Sequence, residues 1–157
     1  MKIIILIIAL SAGAYYVLAN HSPFQLTETD PYFGEVRVNV PDTSVQLVGF
    51  GKMFSREDCL ARSAIVWADV FKETGKLDLV KSECSKSLSP RYNKLFENKP
   101  FHATYIVFEK GNRSERDGRF VIFGVPSSVV AKECGKIIAS AKQRYTGKVY
   151  CVKGTVG

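Results

Sequence analysis

Apolar residues recur along this chain in distinct rhythms, and each rhythm predicts a different element. Residues 3–19 are almost unbroken hydrophobe. Residues 45–54 form a β-type apolar run carrying Gly49 and Gly51, which mark a bulge or a close approach of backbones. Ser55-Arg56-Glu57-Asp58 then has the form of a capping box, with Ser55 as N-cap and acidic side chains at the positive end of the helix dipole. Leu60, Ala64, Trp67 and Phe71 follow at helical spacing, widened by Ile65 and Val70, until Gly75 stops the helix beside Lys72 and Lys76. A strand over 77–84 returns after a minimal turn. The same order recurs later in the chain: a β run over 119–125, a helix opened by Pro126-Ser127-Ser128, and a strand over 148–153. Val130, Cys134, Ile137, Ala141 and Tyr145 form the apolar stripe of that second helix, and Gly147 ends it.

Between these two units, residues 102–110 read as a strand rich in Tyr105, Ile106, Val107 and Phe108, and the loop over 111–118, ending in Asp117-Gly118, turns it into a hairpin with 119–125. Before them, Pro23, Pro31 and Pro41 punctuate residues 20–44, with Asp30-Pro31 and Pro41-Asp42 as turn signals. That stretch reads as an arm or linker. Within it Val36-Arg37-Val38-Asn39-Val40 alternates strictly and predicts a short strand, placed at an edge because prolines bracket it. Two amphipathic helices bury their stripes most economically on one face of a mostly antiparallel sheet. The expected fold is therefore α+β, a two-layer sandwich that is ferredoxin-like in the broad sense. The expected organisation is a leader over 1–19, the arm over 20–44 and one domain over 45–157.

The leader has two readings. Lys2 precedes an apolar core of signal-peptide length, and Ser11, Ala12, Gly13 and Ala14 follow it, so cleavage after Ala14 or after Ala19 is the expectation. Residues 3–19 are also close to the shortest stretch that spans hydrocarbon, which makes a retained membrane anchor the alternative. Either way the domain is expected outside the cytoplasm, periplasmic or secreted in the first case and tethered in the second. The four cysteines, Cys59, Cys84, Cys134 and Cys151, all follow the leader, where thiols pair as structural disulfides. Four cysteines allow three pairings. The repeated layout favours Cys59 with Cys84 and Cys134 with Cys151, each bond joining a helix to the strand after it.

The formal charge of +7 suits partners that carry anionic groups, although the lysines and arginines read as scattered singly rather than massed in one run. Two loops are the candidate binding surfaces. Residues 85–100 interleave Lys86, Arg91, Lys94 and Lys99 with Tyr92 and Phe96, around a short helix capped by Ser89-Pro90. The hairpin loop carries Lys110, Arg113, Arg116 and Arg119 among Glu109, Glu115 and Asp117, an interleaving that reads as a solvated loop. It also contains the sequon Asn112-Arg113-Ser114, as Asn20-His21-Ser22 does near the leader. For catalysis the inventory is poor, and no catalytic residue, metal site or cofactor is expected. His102 is the only histidine in the organised region, there is no C-x-x-C, and a thiol couple of Cys59 with His102 requires Cys59 to be reduced.

Residues 45–60, a β run leading through Phe54-Ser55 into a capped amphipathic helix, resemble the start of the peptidoglycan-binding SPOR modules. The resemblance implies an exported, often membrane-anchored domain on a related sandwich; the long loop over 85–100 departs from that pattern. The function expected from the residues is a non-enzymatic extracytoplasmic interaction domain whose partner is a protein, as in an inhibitor, immunity or envelope-assembly component. Binding of peptidoglycan, or of an anionic envelope polymer or lipid, is the first alternative. A small secreted thiol enzyme is the second. No specific nucleic acid partner is expected.

Overall fold

The computed structural model describes residues 30–65, 77–143 and 145–155. The leader, the first part of the arm, and the predicted continuation of the first helix through Trp67, Val70 and Phe71 lie outside these residues. The described chain is α+β. Its six strands are β1 (Tyr32–Asn39), β2 (Gln46–Met53), β3 (Asp78–Ser85), β4 (Tyr105–Glu109), β5 (Asp117–Phe123) and β6 (Lys148–Val152). Helix α1 (Arg56–Ile65) lies between β2 and β3, α2 (Pro90–Phe96) between β3 and β4, and α3 (Ser127–Lys142) between β5 and β6. All pairings are antiparallel, in the order β3-β1-β2-β5-β4-β6.

That order divides the sheet into two matching halves. Each half runs strand, strand, helix, strand, and in each the first strand sits between the other two. Counting inward from the edge, Cys84 lies opposite Gly34, and Gly34 opposite Gly51; in the other half Cys151 lies opposite Ile106, and Ile106 opposite Phe120. At the junction Gly51 pairs with Gly118 and Gly49 with Phe120, which centres an approximate twofold relation on the pair Phe50 and Arg119. The disulfides obey the same relation. Cys59 on α1 bonds Cys84 on β3, and Cys134 on α3 bonds Cys151 on β6, with Cα separations of 6.0 and 6.4 Å. Each bond clamps a crossover helix to an outer strand.

Both long helices cover one face of the sheet, α3 with the stripe its spacing predicts, whereas α1 turns Cys59, Arg62 and Ser63 inward and leaves Leu60 and Ala64, the expected stripe, exposed. Val130, Ile137, Ala141 and Tyr145 of the α3 segment pack on Val38, Leu47, Ile106, Phe108, Phe120 and Val149. The first turns of α1 lie over Gly34, where an added Cβ would meet Cys59 Sγ at 3.3 Å and Ser63 Oγ at 3.4 Å. The second face departs from the two-layer expectation. It carries its own apolar cluster, in which Val48, Phe50, Tyr105, Val107 and Val121 are covered by Leu88, Tyr92, Leu95 and Phe101 from the connection between the halves. A sheet whose alternate positions are apolar on both faces needs a cover on each, and α2 with its flanks supplies the second.

Two expectations change at β1. It is not an edge strand, because β2 and β3 pair with it on either side. Pro31 and Pro41 lie just outside it and so remove no donor from either ladder. The organised domain consequently includes Tyr32–Asn39, which the boundary at residue 45 assigned to the arm. The turn back into β2 needs a special backbone: Asp42 adopts φ of 58°, Thr43 Oγ1 donates to Val40 O at 2.8 Å, and Val45 N–H donates to Thr43 Oγ1 at 3.1 Å.

Candidate functional site

The hairpin between β4 and β5 is the more polar of the two candidate loops, and its charges turn inward. Asp58, in the first turn of α1, accepts from Arg62 Nε at 2.8 Å, from Arg116 Nε at 2.6 Å and Nη2 at 3.1 Å, and from the Phe54 N–H at 3.1 Å. Its own N–H donates to Ser55 Oγ at 3.2 Å, so the predicted capping box forms, with the carboxylate reaching one residue beyond the N-cap. Arg116 lies 3.6 Å from the centre of the Phe54 ring and donates to the carbonyls of Arg113 and Glu115, while Arg62 Nη2 donates to Ser114 O at 2.9 Å. Burial raises the proton affinity of Asp58, but the hydrogen bonds from Arg116, Arg62 and the Phe54 amide outweigh it and hold the carboxyl below its ordinary value.

The same loop buries a second acid. Glu115 is 2 % exposed and accepts from the N–H groups of Gly111 and Thr146 and from Thr146 Oγ1 at 2.6 to 2.9 Å. Asn112 Oδ1 accepts from the Ser114 and Glu115 amides in an Asx turn. The solvated-loop reading is therefore corrected. Arg116 and Arg119 are buried at 4 % and 3 % exposure, and of the four basic candidates only Lys110 and Arg113 remain at the surface. Arg119 spans the second face, donating to Leu95 O at 2.8 Å and to Asn98 Oδ1 at 2.8 Å, and its guanidinium stacks 4.7 Å from the Phe96 ring. It thus holds the C-terminal end of α2 to the sheet.

The loop over 85–100 divides in the same way. Tyr92 is core, its hydroxyl accepting from Arg37 Nη2 at 2.8 Å, and Phe96 packs edge-on to Phe33. Lys86 pairs with Asp30 and Lys99 with Glu97, both well exposed, while Arg91 lies over the outer side of Tyr92 at 4.5 Å. Lys94 is exposed. Tyr92 is thus committed to packing and Phe96 is half-buried, while the cations of this loop stay at the surface.

A surface that sequence reasoning missed lies on the opposite side of α1. Leu60, Leu79 and Val80 are exposed at 47 %, 39 % and 50 %. Leu60 and Leu79 border a cleft of about 250 Å³ between α1 and β3, lined also by Ser63, Ala64, Ser82, Glu83 and Cys84, and Val80 follows Leu79 on the strand. β3 is the outermost strand, and Val80 is the extra residue of a bulge between the pairs Arg37–Lys81 and Val38–Leu79. Outer strands present unpaired N–H and C=O groups, and a bulge tilts them away from casual pairing. The matching place in the other half differs: the residue after Cys134 is Gly135, with nothing within 4 Å of its would-be Cβ. The other half therefore has no counterpart to the Leu60 side chain. The sequence pointed the other way: Leu60 and Ala64 fall at the spacing of a buried stripe, yet α1 faces the sheet with Cys59, Arg62 and Ser63.

The cysteines are spent on disulfides, so Cys59 and His102 form no thiol–imidazole couple; His102 is exposed and stacks on Phe101 at 3.9 Å and Phe123 at 5.6 Å. Among the described residues no group of acids, histidines and cysteines is placed to hold a metal, and no helix is long and apolar enough to cross a membrane. Disulfides of this kind indicate an oxidising, extracytoplasmic setting. Compared with known proteins, the chain matches no family model, no curated sequence and no solved structure, and the likeness to SPOR modules stays with residues 45–60.

Proposed function

We propose that this chain is a non-enzymatic interaction domain of the periplasm or the extracellular medium, released by cleavage of its leader or held by it, and that its partner is another protein. The partner contributes an extended segment that lies along β3 and places an apolar side chain in the cleft beside Leu60. What carries this reading is the exposure of Leu60 and Leu79 at that cleft, with Val80 exposed beside them on a strand that has no outer neighbour among the described residues. Large apolar residues grouped at a surface mark an interaction site, and strand addition offers main-chain hydrogen bonds for affinity and a pocket for selectivity. The polar groups that would otherwise invite a catalytic reading, Asp58, Glu115 and Arg116, are saturated by internal bonds and serve the fold. An inhibitor, immunity or envelope-assembly protein fits a small, doubly braced scaffold of this kind.

Affinity capture from an extract of the native host tests the proposal. The wild-type domain should retain a discrete protein that the double variant Leu60→Asp, Val80→Asp does not, whereas Lys94→Glu on the far face retains it. Equal capture by all three would contradict the proposal. Both apolar positions are exposed, so the variant should keep its fold and both disulfides.

A further inference from the structure

The net charge is far from evenly spread along the chain. Residues 126–157 carry six lysines and arginines against Glu133 alone, whereas residues 1–125 carry sixteen against fourteen acids. In the fold this final stretch is α3 and β6, clamped to each other by the Cys134–Cys151 bond. The exposed stripe of α3 is Ser128, Lys132, Gly135, Lys136, Ala139 and Lys142, and Lys153, just past β6, is exposed as well. Glu133 is mostly covered and paired with Lys136 at 2.9 Å.

We infer that the α3 and β6 flank is a docking surface for a bilayer rich in anionic phospholipid. The stripe runs along a 16-residue helix, about 24 Å at the usual rise, and presents Lys132, Lys136 and Lys142 over its last three turns with only small residues between. A spread of charge along a flat face is complementary to a sheet of headgroups rather than to a single phosphate. It carries no aromatic side chain on which the bases of a single strand would stack. Nor has it the apolar centre around which protein interfaces are organised. If the leader is retained, residues 20–29 tether the domain within about 35 Å of the membrane, where even weak adsorption is populated. This surface lies in the opposite half of the sheet from the cleft, so the two proposals stand or fall separately.

Flotation of the full chain with vesicles of phosphatidylcholine alone, or with 30 % phosphatidylglycerol, tests the inference. Each lysine near an anionic surface is worth about fivefold in partitioning. The variant Lys132→Glu, Lys136→Glu, Lys142→Glu should therefore lose more than 100-fold of the anionic-lipid-dependent binding, and 0.5 M salt should abolish it in the wild type. The variant Arg91→Glu, Lys94→Glu, Lys99→Glu, with the same change in charge on the other loop, should stay within about threefold. Comparable loss in both variants, or no preference for anionic vesicles, would overturn the inference. So would retention on soluble polyphosphate that such vesicles do not displace. Because the variants share the leader, insertion of residues 3–19 cancels in the comparison. An unchanged melting profile shows that a loss is not unfolding.

Discussion

Asp58→Asn swaps the carboxylate at the centre of the buried cluster for a neutral side chain of the same shape. In the wild type that carboxylate accepts four N–H bonds and neutralises two guanidinium groups whose side chains are 1 % and 3 % exposed. The variant keeps one acceptor oxygen, turns an amide group toward two arginines, and leaves both cations buried without a counter-charge. Arg62 has little to fall back on, since its buried Nη1 has no hydrogen-bond partner among the described residues even in the wild type. Breaking a buried pair on one side costs about 3–5 kcal/mol, which in a domain of this size lowers Tm by about 10–20 °C. Urea unfolding of the oxidised protein at pH 7 measures the loss directly. The pH dependence provides a second readout. Because the folded pKa of Asp58 lies below its unfolded value, its contribution is complete above pH 4 and fades as pH falls through the depressed folded value. The gap between wild type and variant should therefore narrow only below about pH 4. A loss under about 1 kcal/mol, or a gap that stays constant from pH 7 to pH 2, would refute the reasoning.

Other consequences can be checked on the same material. Replacing Cys59 and Cys84 together, or Cys134 and Cys151 together, by alanine opens loops of 25 and 17 residues; denaturant unfolding should show losses of about 3.5 and 3 kcal/mol, nearly equal as the twofold layout requires. Arg119→Met removes the bonds to Leu95 O and Asn98, so amide exchange over α2 should accelerate roughly ten- to a hundredfold by mass spectrometry while α3 is unaffected. Burial, reinforced by the 2.7 Å bond to Glu109, pushes the Tyr150 phenol up to about 12. Titration of phenolate absorbance should show a late step there that moves toward 10 in Glu109→Gln. Its protonated form stabilises the fold up to about pH 10, and that contribution disappears as pH rises toward 12.

The repeat of strand, helix and strand was readable because period-two and helical spacing separate cleanly around Ser55 and Pro126, and the placement of one cysteine per helix and one per strand follows from it. β1 was readable as a strand but not as an interior one, since bracketing prolines look the same beside an edge as beside a ladder they do not enter. The second covered face was hidden in the loop over 85–100, where Tyr92 and Leu95 are too few to show a period. Arg116, Arg119 and Glu115 resemble surface residues because burial of a charge depends on partners distant in sequence, here Asp58, Leu95 and Thr146. Leu79 and Val80 give the opposite case: they have the composition of a buried strand, yet β3 is outermost among the described strands and both stay exposed.

Photo-crosslinking in the native host tests most directly the claim that the β3 edge docks a protein. A benzophenone amino acid placed at Val80 should yield one dominant covalent adduct with a second, different protein, and the same label at Gln143, beyond the end of α3, should not yield it. Labels at both positions giving the same adducts, or the label at Val80 giving none or only a dimer of the chain itself, would contradict the account.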